Sequence, residues 1–405
     1  MGRYLIIADD ITGANDTGVQ LKRRGIDTIV TLHADTVGAL PCSYVLDTES
    51  RSLSGEAAYK AVRSALEKMD LSAFRHVVKK VDSTLRGNIA HEVLAVDEAL
   101  WSGLVIFMPA LPDLGRTTES AIHMLHGKPI IETEMALDPK TPVTEHNLNQ
   151  ILSFAYDEPI VHYNIATIEA GDIDFGTGRV FTFDALTNAH MQTVVNAALQ
   201  TGKSVLWVGS SGIVDRLMEA ELPQRPAVAL ATSLSETSRG QVAQAIQNGT
   251  RYMVVPAYEL LNGADKTPYI EQAVELLENS QDVIILSSAA YDRSQIEKSD
   301  EVGKARGLSR LEVSQKVQEL MGEITASALE RVQVSGIFLT GGDTAIGFFE
   351  QIGASSFQII SEVQIGIPLM QVVGGRYDGL KVITKAGAFG QPDAILYSFR
   401  KLKEV

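Results

Sequence analysis

Short, nearly continuous apolar runs alternate with stretches of helical spacing through the first hundred residues. The runs at 3–8, 27–32, 43–48, 76–81 and 104–110 predict buried strands, because a strand covered on both faces needs no polar alternation. Between them, 12–24, 54–69 and 88–100 read as helices, the second opening on Ser54. This alternation predicts a mostly parallel sheet with helices on both faces. From 111 to 185 the pattern weakens and Pro, Gly, Thr and Asp become frequent, with Asp138 to Pro142 reading as ordered loop. A helix at 188–200 and a strand at 204–209 close this half.

The segment Leu222-Pro223-Gln224-Arg225-Pro226 reads as a linker, which predicts domains over 1–225 and 226–405. After it come expected strands at 227–232, 252–257, 282–288 and 336–342, with a helix over 309–332. The runs 368–375 and 381–390 read as strands joined by a glycine turn. The expected fold class is therefore α/β, with two domains, each a mostly parallel or mixed sheet flanked by helices.

Composition adds limits. A chain of 405 residues with 45% hydrophobic and 21% charged residues is ordinary for a globular protein with large cores. Thirty-five basic against fifty acidic residues give a charge of −15, which repels nucleic acid and anionic membranes. Any anionic ligand must then be held by local cations, oriented backbone amides or a divalent metal. Cys42 is the only cysteine, so no internal disulfide forms. The apolar run near the N-terminus is too short for a signal peptide, and no window approaches a membrane span. A cytoplasmic location is expected, with no membrane or nucleic-acid partner.

Candidate chemistry gathers at strand ends, where α/β sheets bind ligands. Asp9 and Asp10 follow the first strand and suit sugar hydroxyls or general-base work, although Asp10 or Thr12 capping the next helix explains them equally well. Lys80, Val81, Asp82, Ser83 and Arg86 follow another strand, where a cation, a carboxylate and hydroxyls suit a small hydroxy acid. A solvated salt bridge is the bland alternative for Lys80 and Asp82. Arg51, past a third strand, has the fork geometry that grips a carboxylate.

The later motifs are phosphate-like. Gly341, Gly342, Asp343 and Thr344 join a strand to a helix start, an arrangement that also serves as an ordinary capped turn. Ser233 and Ser235 stand in a hydroxyl-rich segment that caps a helix as readily as it holds phosphate. Gly387 and Gly390 bracket a loop beside a lysine. Two decoys fall away. Thr201-Gly202-Lys203-Ser204 lacks the P-loop glycine at 197 and lies between a helix and a strand in the wrong order. His123 and His126 have no further partner in a zinc pattern, and no metal ligand is named from sequence.

Taken in order, 8–18, 47–52, 79–88, 109–118, 132–145, 232–241, 340–345 and the segments around 366–375 and 384–390 resemble the four-carbon acid sugar kinase family nearly end to end. Where family members often have Gly and Gly, this chain has Thr232 and Ala388, which narrow the nucleotide loops slightly. The resemblance implies an N-terminal sugar-acid domain, a C-terminal nucleotide domain, and an active site in the cleft between them. It implies contacts from Asp10, Arg51 and residues 80–83 to the acid, and from Ser233, residues 341–344 and Gly387 to ATP. The expected reaction moves the ATP γ-phosphoryl group to a hydroxyl, the terminal one, of a sugar acid such as D-threonate or D-erythronate, with Mg2+ assisting. Asp10 and Asp82 both remain candidates for the base. A 3-oxo-tetronate or another sugar acid is the alternative substrate, a non-catalytic sensor the alternative class. A homo-oligomer stays open.

Overall fold

The computed structural model describes residues 3–404 except 177 and 280. The chain divides into two compact units, with the break between Pro223 and Gln224. In the first unit the strands are β1 (Tyr4–Ala8), β2 (Thr28–Thr31), β3 (Ser43–Asp47), β4 (His76–Lys80), β5 (Leu104–Met108), β6 (Arg116–Glu119), β7 (Ile122–Leu125), β8 (Lys128–Pro129), β9 (Ile160–Tyr163), β10 (Val180–Phe183) and β11 (Val205–Gly209). Eight form one sheet in the order β2-β3-β1-β4-β11-β5-β10-β9, and its pairings are parallel. Helices α1 (Ile11–Arg23), α2 (Gly55–Leu66) and α3 (Ile89–Leu100) follow β1, β3 and β4.

The two sheet faces bury separate cores, which is why β1 and β5 are apolar throughout. Ala14 and Leu21 of α1 pack with Val45, Val78 and Trp207 on one face. Val62 of α2 and Val93 and Val96 of α3 pack with Leu5, Ile7 and Val77 on the other. Each such fully buried aliphatic side chain contributes roughly 1.5–3 kcal/mol over its exposed state. The weakly patterned region 111–185 supplies β9 and β10 and a small antiparallel sheet, β6-β7-β8.

The second unit contains β12 (Ala227–Ala231), β13 (Arg251–Val255), β14 (Val283–Ser287), β15 (Gly336–Thr340), β16 (Phe357–Gln364), β17 (Ile367–Val372) and β18 (Lys381–Lys385). Their order is β13-β14-β12-β15-β18-β17-β16. Pairing is parallel from β13 to β18, and β17 then runs antiparallel to both β18 and β16, so the sheet is mixed. Helices α4 (Glu236–Gln247), α5 (Arg310–Arg331) and α6 (Gly342–Ile352) matter below.

Two expectations change. The run at 381–390 is a strand only as far as Lys385; the chain then turns, with Phe389 N donating to Ala386 O at 3.1 Å and Gly390 at φ +85. β16 also went unread, because residues 358–362 are exposed along an edge and show no alternation. Among the described residues, no helix is long and apolar enough to cross a membrane.

Candidate functional site

In each sheet the first strand has a neighbour on either side that comes later in the chain: β3 and β4 flank β1, and β14 and β15 flank β12. The connections leave in opposite directions there and open a crevice at the strands' carboxyl ends. Both groups of candidate residues stand at those ends.

In the first unit, Arg51 organises the cluster. Its Nε and Nη2 donate to Asp9 at 2.7 and 3.0 Å, and its Nη1 and Nη2 donate to Asp10 at 2.8 and 2.8 Å. Burial works against the guanidinium charge, but Asp9, Asp82 and Asp10 outweigh it and raise its pKa above the ordinary value. Asp10 also caps α1 by accepting from Gly13 N at 2.9 Å, so the capping and cluster readings are both realised in one carboxylate. Position 13 must be small, since a Cβ there would stand 2.7 Å from Asp10 Oδ1 and 3.0 Å from Lys80 Nζ.

Adjacent lysines on β4 take opposite faces. Lys79 is fully buried, 2.7 Å from Glu92 Oε2 of α3, and also donates to Lys80 O at 2.8 Å. Burial raises the Glu92 pKa against the opposing pull of Lys79. This buried pair seats α3 on the sheet. Lys80 points to the α1 side, donates to Val81 O at 3.0 Å, and has its pKa lowered by burial despite the nearby charges of Asp9, Asp82 and Asp16. It is a cation held over the first turn of α1, where helix amides already favour an anion.

Asp82 is heavily engaged. Its Oδ2 accepts from Thr84 Oγ1, from Arg86 N at 3.3 Å and from Arg86 Nε at 2.7 Å. Burial pushes its pKa up, but the bonds from Arg86 and Thr84 and the charge of Arg51 prevail and hold it at about 2. Arg86 reaches onward to Asp138 at 3.3 Å. The loop that carries these groups is tightly shaped. Leu85 sits at φ +61, and Gly87 at φ +96 lies so close that a Cβ would be 3.2 Å from Arg51 Cγ. Behind it, buried His123 of β7 bridges: Nε2 pairs with Ser83 O at 2.9 Å and Nδ1 with Thr118 Oγ1 at 3.0 Å. A carbonyl can only accept, so Nε2 carries the proton and Nδ1 accepts. Burial holds the ring's pKa down at about 4, so it stays neutral.

The second unit builds its strand ends from hydroxyls, amides and one cation. Gly341, at φ +100, starts α6 with no side-chain cap, leaving the first-turn amides open. Asp343 stands exposed in that first turn, and Thr344 Oγ1 bonds Thr232 Oγ1 at 2.5 Å. Ser235 caps α4, as its bland reading held, and also donates to Gly387 O at 2.6 Å. Ser238 Oγ and Lys385 Nζ reach the same carbonyl at 3.1 and 3.0 Å. A side chain at Gly387 would be crowded, because a Cβ would lie 3.0 Å from Ser233 Oγ and 3.2 Å from Ser235 Oγ. Gly390 ends the same loop, its carbonyl held by Gln241 Nε2 at 3.1 Å.

Lys385 went unassigned in the sequence reading. Its ammonium meets Ser238 Oγ, Ala386 O and Gly387 O at 3.0, 3.1 and 3.0 Å, and burial pushes its pKa down to about 8. Strand alternation was the available signal, since Lys385 follows buried Ile383 by two residues. Among the described residues, no group of three or more His, Cys, Asp or Glu stands ready for a metal. Asp343 offers the single oxygen ligand that magnesium commonly takes from a protein when phosphates and water complete its shell.

Profile comparison matches residues 4–217 to a sugar-binding N-terminal domain and 228–395 to a nucleotide-binding C-terminal domain. The chain is 32% identical over 422 aligned positions to a D-threonate kinase of Salmonella typhimurium, covering 100% of this chain and 99% of that protein. It is 27% identical over 423 positions to a D-erythronate kinase of Heliobacterium modesticaldum, covering 97% and 95%. A crystal structure of a domain of unknown function from Bordetella bronchiseptica, a domain-swapped dimer with bound citrate, superposes with a TM-score of 0.65 at 27% identity, covering 99% of this chain and 98% of that one.

Proposed function

This chain belongs to the four-carbon acid sugar kinase family, and on that premise we propose that it transfers the γ-phosphoryl group of ATP to the terminal hydroxyl of D-threonate or a close four-carbon relative. Relatives named D-threonate kinase at 32% and 29% identity favour that acid over D-erythronate and the 3-oxo-tetronates. The observation that carries the reading is Lys80. Its ammonium stands at the first turn of α1 beside Asp10, with one hydrogen bond, to Val81 O. That arrangement suits a ligand with a carboxylate at one end and hydroxyls along its length.

In this account Lys80 and the α1 amides hold the substrate carboxylate. Arg51, with four of its donors committed to Asp9 and Asp10, fixes those two carboxylates rather than gripping the acid alone. Asp10 then orients the attacking hydroxyl and takes its proton. Asp82 is the weaker choice for base, since a carboxylate with a pKa of about 2 and three donors on one oxygen has little pull on a proton. On the nucleotide side, the first-turn amides of α6 from Gly342 onward, the hydroxyl of Ser233 and the Lys385 charge receive the phosphates. Magnesium, when bound to Asp343 and phosphate oxygens, would neutralise charge on the transferring group. Catalysis rests mainly on positioning and charge neutralisation, as in phosphoryl transfer generally. The cytosol, where ATP is supplied, is the fitting compartment.

A coupled ADP-release assay with Mg-ATP against D- and L-threonate, D- and L-erythronate and the 3-oxo-tetronates tests this. Turnover on D-threonate, lost in Asp10→Asn, is expected. Turnover confined to another of these acids would reassign the substrate, and ADP from none of them would remove the proposal.

A further inference from the structure

The loop that runs from Lys80 to Arg86 is braced from behind by a hairpin held in a demanding shape. β6 and β7 are joined by only Ser120 and Ala121, at φ +54 and +65. Both sit in the left-handed region, which Asn and Gly enter easily and Ser and Ala do not. Buried Asp184, just after β10, holds them there: Oδ2 accepts from Ser120 N at 2.8 Å and Oδ1 from Ala121 N at 2.9 Å. His162 Nε2 stands 3.2 Å from the same Oδ1. Burial pushes the Asp184 pKa up, but His162 and the two amides prevail and hold it below the ordinary value. Thr118 also pairs with Ala185 through both backbone groups, at 3.0 and 2.9 Å, which fixes the hairpin beside β10.

The hairpin's register puts Thr118 opposite His123. Thr118 Oγ1 meets Nδ1 at 3.0 Å, which leaves the Nε2–H aimed at Ser83 O at 2.9 Å, and both side chains are fully buried. A trans peptide is planar, and its C=O and N–H point in opposite directions. With the Ser83 carbonyl turned to His123, the Thr84 N–H of the same peptide points away from the hairpin. Among the described residues that amide meets no acceptor, although Thr84 is buried. A buried amide without a partner is rare in a folded protein, because it forfeits a hydrogen bond.

We infer that His123 is a positioning residue for the sugar acid. It pins the Ser83–Thr84 peptide so that the Thr84 amide is a fixed donor to the substrate, and Asp184 holds the hairpin that aims it. The inference deepens the proposed kinase function and rests on it. A donor fixed in this way suits a carboxylate or hydroxyl oxygen and adds direction to the charge of Lys80. Because the amide meets the acid alike in the ground and transition states, its loss moves KM and leaves kcat in place.

Steady-state kinetics of His123→Leu, His123→Gln and Asp184→Asn test this, with the acid that the wild type turns over. In His123→Leu, KM for the acid should rise by at least about tenfold, with kcat and KM for ATP within about twofold of wild type. Glutamine can still donate to the Ser83 carbonyl, so His123→Gln should regain most of that loss. Asp184→Asn leaves one acceptor oxygen for two amides and should raise KM for the acid about fivefold. Adding Ala121→Gly, which removes the left-handed cost at that position, should reverse the rise. The Asp184 variants carry the test even where His123→Leu does not fold. A brace that only stabilises the fold would lower the amount of active enzyme, and so the apparent kcat, without moving KM for the acid; that result overturns the inference. Equal damage in His123→Leu and His123→Gln overturns it too. Either contrary result leaves the kinase reading standing, whereas a wild type that phosphorylates no acid removes both.

Discussion

In the first unit Asp9, Asp10 and Asp82 are tied to Arg51 and Arg86 by short hydrogen bonds, and the nearby Lys80 brings the cluster to three charges of each sign. In the second, Lys385 is buried among a hydroxyl and two carbonyls, and the remaining donors are amides and serine or threonine hydroxyls. One crevice is a lattice of paired charges; the other sets one buried cation among neutral donors, with the Asp343 carboxylate exposed at the turn. The difference matches the chemistry of the two ligands. A small polyhydroxy acid offers few contacts and is recognised by rigid, directional partners. A phosphate chain offers many equivalent oxygens and is met well by backbone amides.

The comparison is broken most severely by removing Arg51. Arg51→Ala leaves two carboxylates without their cation, Asp9 at 2% exposure among them. Breaking a buried pair costs roughly 3–5 kcal/mol. Chemical denaturation should register that loss, and turnover should fall by about a thousandfold or more. Arg51→Lys should recover little, since a point donor cannot bridge two carboxylates. A normally active Arg51→Ala enzyme would mean that the lattice is ornamental.

Gly387→Ala perturbs the other side alone. The added Cβ crowds Ser233 and Ser235, so KM for ATP should rise about tenfold while KM for the acid holds. Equal changes in both would erase the distinction between the units.

Charge in the second unit also gives it a pH signature. With its pKa lowered to about 8, Lys385 is cationic below that pH and neutral above it. ATP affinity, read by equilibrium binding, should therefore weaken as pH rises past about 8. In Lys385→Met it should be weaker throughout and lose that inflection.

The first unit answers at the acid end, with a smaller effect. Asp82 is depressed from 3.8 to about 2, so it stabilises the fold fully above pH 3.8 and loses that contribution as pH falls through 2. The shift is worth roughly 2 kcal/mol. Denaturation midpoints of Asp82→Asn and wild type should converge towards pH 2, and a constant gap down to that pH would contradict the assignment.

Much of this was legible in the chain, for identifiable reasons. Strands buried on both faces write themselves as apolar runs, so β1, β3, β4, β5 and β12 stood out. Strand ends are where α/β sheets place ligands, so Asp10, Lys80 and Gly341 followed. Long-range pairings left no such trace. Arg51 meets Asp9 across 42 positions and Lys79 meets Glu92 one helix away, and neither spacing is periodic. The β16 edge and the small β6-β7-β8 sheet are exposed or threonine-rich, so nothing alternates there. His123, read only as a failed zinc ligand, acts through the backbone of Ser83, a contact no motif records.

The division of labour between the two units is tested most directly by measuring KM for D-threonate and the equilibrium affinity for ATP in Lys80→Met. The account predicts that KM for D-threonate rises by about a hundredfold while the equilibrium affinity for ATP stays within twofold of wild type. ATP affinity falling in step with the acid would contradict it, because the Lys80 charge would then serve both ligands.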